Sequence, residues 1–99
     1  MEIIKINPNE IKTAYWFINL KGKIYFKINN KSGSNRLKAW WVKGPFGTVE
    51  NIPDLILKGQ TPYLGIGWGK LKVSGADSET IMFVTESAQV ASNFPSVQF

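Results

Sequence analysis

The residues best suited to chemistry in this chain are flat rings interleaved with lysines. Lys23, Tyr25 and Lys27 alternate in one segment, and Lys38 and Trp40 follow the same rule in the next. In an extended strand alternate residues share a face, so each set would present rings and ammonium groups to one side. Such a surface fits a ligand with negative charge and stackable faces. Bases of a single-stranded nucleic acid stack on rings while lysines follow its phosphates. A glycan fits as well, with its C–H faces lying on Trp and Tyr. The plain alternative is a solvated sheet face, or one covered by a second layer.

Trp68 is the second candidate, set among Gly65, Gly67 and Gly69. A phosphate-cradling loop needs a strand before it and a helix N-terminus after it, whereas Lys70 to Ser74 alternates like a strand. The glycines are therefore read as permitting a bulge or a close backbone approach. Trp68 is then either packed over glycine or presented to a ligand.

Nothing comparable supports catalysis. The sequence contains no Cys and no His, which removes thiolate chemistry, Ser/His and Cys/His arrangements, structural zinc and the usual transition-metal sites. The seven carboxylates form no pattern. Asp77 and Glu79 flank one turn, whereas a glycosidase needs two carboxylates held about 5–10 Å apart in a cleft. Calcium needs more oxygen ligands than Asp77-Ser78-Glu79 supplies. A lysine of lowered pKa is the remaining catalytic route, and no lysine stands out. The chain is expected to be no enzyme and to use no cofactor and no metal.

Composition sets the frame for these residues. Ninety-nine residues fit one domain spanning 1–99, and the 43% hydrophobic content is that of a globular chain. Thirteen aromatics, four of them Trp, exceed what a core of this size needs. Basic residues outnumber acidic ones nine to two in residues 1–49, and acids lead five to three in the remainder. That asymmetry marks either a surface for an anionic partner or the lysine-rich composition alone. The opening Met1-Glu2-Ile3-Ile4-Lys5 lacks the apolar stretch of about 7–15 residues of a signal peptide. No apolar run nears the ~18 residues that span a bilayer. No transmembrane segment is expected, and the compartment is left open.

The elements that must position these side chains read as β. Residues 23–29 alternate strictly, with Ile24, Phe26 and Ile28 on the apolar side. Asn30 to Asn35 is a turn cluster, and residues 37–43 return as a second strand, so a hairpin is the natural pairing. Within that strand Leu37, Ala39 and Trp41 oppose Lys38, Trp40 and Val42, placing one of the adjacent Trp residues inside and the other outside. Gly44-Pro45-Phe46-Gly47 and Ile52-Pro53-Asp54 read as breaks, with Leu55-Ile56-Leu57 a short apolar piece after them. Residues 70–74 form another strand, with Leu71 and Val73 inward. Thr80 to Thr85 is a β-branched central strand. Asn7-Pro8 could open a helix over 8–18, but Tyr15-Trp16-Phe17-Ile18 favours a strand over 13–20. One helical turn is expected at 86–91. The uncharged segment 92–99 is a tail whose aromatics pack on the body or on a neighbouring subunit. Short strands between turns make the fold class all-β, a small antiparallel sandwich or barrel.

Tyr15-Trp16-Phe17-Ile18-Asn19-Leu20-Lys21-Gly22 resembles the first RNA-binding motif of cold-shock domains, with Ile18 as an insertion and no second motif downstream. Ile28 to Gly33 with Leu57-Lys58-Gly59-Gln60 is similar to a loop pattern of small β-sandwich lectins and membrane-binding toxins. Neither resemblance carries a functional residue to this chain. The expected function is a binding module for a glycan or membrane-surface ligand, with Lys23, Tyr25, Lys27, Lys38, Trp40 and Trp68 as ligand-binding residues. Single-stranded nucleic-acid binding through the same face is the first alternative. Self-assembly through strand edges or the tail is the second.

Overall fold

Alternation of apolar and polar residues builds the inner faces of two sheets. A computed structural model describes residues 1–44, 47–51 and 66–99, with the backbone alone at 19–21, 48, 50, 51, 66 and 67. The strands are β1 (Glu2–Ile6), β2 (Lys12–Lys21), β3 (Tyr25–Asn30), β4 (Lys38–Lys43), β5 (Thr48–Asn51), β6 (Ile66–Ser74) and β7 (Thr80–Thr85). A single turn of helix, α1 (Ala88–Ala91), follows them. One sheet has the order β1-β7-β3 and the other β2-β6-β4-β5, and every pairing is antiparallel. The all-β expectation holds. Pro45, Phe46 and the segment 52–65, including Pro53 and Leu55-Ile56-Leu57, lie outside the described residues.

The two sheets share one core. Ile6, Ile24, Phe26, Ile28, Met82 and Val84 from the three-stranded side meet Ala14, Phe17, Ala39, Trp41, Leu71 and Val73 from the other. Ile6, Ile24, Leu71, Val73, Met82 and Val84 are fully buried, and each such side chain contributes about 1.5–3 kcal/mol of hydrophobic stabilisation. Phe17 and Trp41 place their ring centroids 5.8 Å apart. β7 is covered on both sides, as its β-branched sequence suggested. Its Phe83 stacks outward on Phe94 at 5.9 Å, so residue 94 of the tail packs on the body. α1 is capped by Ser87, whose hydroxyl accepts the Val90 N–H at 3.2 Å. This is the helical turn expected near 86–91.

Four points correct, settle or add to the sequence reading. First, β3 and β4 do not form a hairpin, because β3 pairs with β7 and β4 with β5 and β6. The link between them crosses from one sheet to the other and is pinned by the buried Asn30 side chain. Asn30 Nδ2 donates to the Thr80 hydroxyl, and its Oδ1 accepts from the Arg36 N–H at 2.7 Å and the Ser34 hydroxyl at 3.1 Å. Leu37, 1% exposed, then enters the core ahead of β4. Second, of the two readings of this region the preferred strand over 13–20 forms, and no helix forms over 8–18. Glu10 N–H closes a turn onto Asn7 C=O at 3.2 Å, and the aromatic run joins β2 instead. Third, residues 66–69 extend the strand read over 70–74. Gly69 is required there, since a Cβ would sit 2.3 Å from the Val42 carbonyl oxygen of the neighbouring strand. Fourth, β1 and β5 are short edge strands that the sequence patterning did not announce. No helix among the described residues is long and apolar enough to cross a membrane.

Candidate functional site

The sandwich separates the residues expected to act together. Lys23 precedes β3 and is half-buried, and Tyr25 and Lys27 lie on the outer face of the three-stranded sheet. Lys38 and Trp40 lie on the outer face of the four-stranded sheet. The cause is the crossover after Asn30. The apolar sides of β3 and β4 face one another, so their polar sides point in opposite directions across layers about 10 Å apart. The Tyr25 and Lys27 face is also partly occupied. Lys27 Nζ donates to the Pro95 carbonyl at 3.3 Å, and Phe94 covers Phe83, the cross-strand neighbour of Lys27.

The opposite sheet assembles what that face lacks. Strand register places Trp16, Lys70, Val42 and Val49 in one cross-strand row, and Thr13, Lys72 and Trp40 in the next. Trp68 lies two residues before Lys70 on β6, and Lys38 pairs with Ser74 at the far end. Trp16 is 65% exposed and Trp68 48% exposed, while Trp40 is half-buried and Trp41 is in the core. Inside and outside are thus assigned for the adjacent Trp pair. Lys70 Nζ stands 5.0 Å from the Trp16 ring centroid, an attraction of about 0.5–1 kcal/mol at an exposed site. The Lys38 stem lies along Gly75, with Cγ 3.2 Å from the position a Cβ would take there.

An irregular strand creates this exposure. β2 slips register against β6 between Thr13 and Tyr15 and again between Phe17 and Leu20. Bulges insert residues and re-aim the side chains beside them. Ala14 and Phe17 turn into the core, whereas Trp16 and Ile18 stay outside, with Ile18 79% exposed. Opposite the second slip stands Trp68, whose carbonyl accepts the Gly44 N–H at 3.0 Å. Trp16, Trp68 and Lys70, with Val42, Gly44, Gly47 and Gly69, line an open groove of about 300 Å³.

The described charge on this face has one sign. Among the described residues its ionic side chains are Lys38, Lys70 and Lys72, and the other polar ones are Thr13 and Ser74. The described carboxylates lie elsewhere. Glu79 pairs with Lys5 at 3.0 Å, and Glu10 with Lys12 at 3.3 Å. Asp77 accepts from Ser32 at 2.9 Å and Ser78 at 3.0 Å in the crossover region. The surrounding Ser34, Ser32 and Ser78 hydroxyls hold its carboxyl below the usual range. Tyr15 donates to Glu86 at 2.6 Å. Burial first, then that hydrogen bond and the charges of Glu86 and Glu2, push the Tyr15 phenol up to about 12. These are structural ties between elements. No group of three or more His, Cys, Asp or Glu among the described residues could hold a metal.

Of the residues expected from sequence, Lys38, Trp40 and Trp68 belong to this face, and Lys23, Tyr25 and Lys27 do not. Trp16, Lys70 and Lys72 join it. Lys70 and Lys72 were readable as outward residues of a strand. Trp16 was not, because four successive apolar residues, Tyr15 to Ile18, carry no alternation. Comparisons with protein-family models, curated proteins and solved structures find no match for this chain.

Proposed function

We propose that the chain is a non-catalytic binding module that takes an anionic, ring-bearing ligand on the outer face of its four-stranded sheet. The observation that carries this reading is the exposure of Trp16 and Trp68 beside Lys70, on a face whose described ionic groups are all lysines. Indole surface left in water forgoes about 25 cal/mol per Å² that a covering ligand would recover. Contiguous exposed apolar surface of this kind marks contact sites. A lysine row among the rings adds charge selection. Glycans, membrane surfaces and nucleic acids all offer flat or apolar surface, but the neutral members of these classes have no use for Lys38, Lys70 and Lys72.

The test is tryptophan fluorescence during titration with a sulfated hexasaccharide and with a twelve-residue oligothymidylate. At least one should bind, and binding should be lost in the Lys70→Glu/Lys72→Glu double variant while Lys23→Glu/Lys27→Glu binds as wild type. Loss in the second variant and not the first would move the site to the other sheet.

A further inference from the structure

We infer that the ligand of this face is single-stranded nucleic acid, an assignment that rests on the site proposed above. Hydrogen-bonding capacity decides it first. Lysine ammonium groups donate and cannot accept. Lys38, Lys70 and Lys72 therefore make the described polar surface almost entirely donor, leaving Thr13 and Ser74 as its side-chain acceptors. A sugar ring lying on Trp16 or Trp68 brings several hydroxyl donors that would find few acceptors. A phosphodiester backbone brings acceptors alone, and its bases can leave their polar edges in water while stacking.

Spacing agrees. Lys70 and Lys72 are two residues apart on β6, about 7 Å along the strand. Trp16 stands beside Lys70 on one flank and Trp40 beside Lys72 on the other. One ring accompanies each cation, as one base accompanies each phosphate. The rings belong to a sheet surface, so they can meet the face of a base only when that face is free. A duplex keeps its base faces stacked, which restricts the partner to a single strand. Trp68, which lines the same groove as Trp16 and Lys70, adds one further ring.

Fluorescence titrations of the full chain with twelve-residue oligothymidylate, inorganic polyphosphate of matched charge, a DNA duplex and the sulfated hexasaccharide test this. Oligothymidylate should bind at least about tenfold more tightly than polyphosphate or duplex, because each stacked base adds to the phosphate contacts. Three lysines facing phosphates should give a slope of log affinity against log salt of about −2. Trp16→Ala should weaken oligothymidylate about fivefold or more and leave polyphosphate unchanged. Trp68→Ala provides the same reading at a second exposed ring. Equal binding of oligothymidylate and polyphosphate, or equal losses for both in Trp16→Ala, would reduce the site to charge alone and overturn the assignment. Binding of the hexasaccharide through Trp16 without oligothymidylate binding would overturn it while keeping the proposed site. Binding of none of the four anions would remove both.

Discussion

Asn29 and Asn30 are neighbours of one residue type on β3, and replacing each by alanine should have opposite consequences. Asn30 is 5% exposed and ties three elements, through the Thr80 hydroxyl, the Ser34 hydroxyl and the Arg36 N–H. Each such bond has a net worth of about 0.5–1.5 kcal/mol, and truncation also leaves the Arg36 N–H without this acceptor. Asn30→Ala should therefore cost about 3 kcal/mol. Asn29 points to the other side of the strand, and its buried Nδ2 has no hydrogen-bond partner among the described residues. Removing an unpaired buried amide relieves a desolvation cost, so Asn29→Ala should lie between neutral and about 1 kcal/mol stabilising. Urea denaturation of both variants, read by tryptophan fluorescence and circular dichroism, gives the two values directly. Equal destabilisation by the two, or a larger loss at Asn29, would refute the crossover anchor.

Other perturbations separate core from face. Trp41→Ala should cost about 3–5 kcal/mol in chemical denaturation, whereas Trp16→Ala should cost no more than about 1 kcal/mol, the cation–π contact with Lys70. Gly69→Ala sets a Cβ against the Val42 carbonyl and should lower stability by about 2 kcal/mol or more; an unchanged urea midpoint would contradict the close approach of β4 and β6. Tyr15 titrates at about 12 in the fold against an ordinary 10.0. The folded state therefore holds its proton more tightly. The stabilisation is complete below the ordinary value and is lost as pH rises through about 12. Tyrosinate absorbance should show a late-titrating component that is absent in Tyr15→Phe, and wild-type stability should fall more steeply than that of the variant from pH 10 upward.

Much of the local structure was legible because alternation survives in β3, β4 and the second half of β6. The inward set Leu37, Ala39 and Trp41 and the outward set Lys38, Trp40 and Val42 lie where their spacing puts them. Strand partners were another matter. Consecutive strands usually neighbour one another, and nothing in Asn30-Lys31-Ser32-Gly33-Ser34-Asn35 distinguishes a hairpin turn from a crossover. The distinction comes from contacts distant in sequence, above all Asn30 with Thr80 and Ser32 with Asp77. The same non-local pairing hid Trp16, since two register slips against β6 decide which residues of β2 face water. The single basic, aromatic face read from the sequence is thus divided, with Tyr25 and Lys27 on one sheet and Lys38 and Trp40 on the other.

The four indole N–H signals report on the central claim together, with three on the four-stranded sheet's outer face and Trp41 in the core. In a ¹⁵N–¹H correlation spectrum titrated with twelve-residue oligothymidylate, Trp16, Trp68 and Trp40 should shift progressively, with backbone amides of Lys70 and Lys72, while Trp41 stays in place. Shifts concentrated at Tyr25, Lys27 and residues 94–95, with Trp16 and Trp68 unmoved, would contradict the account.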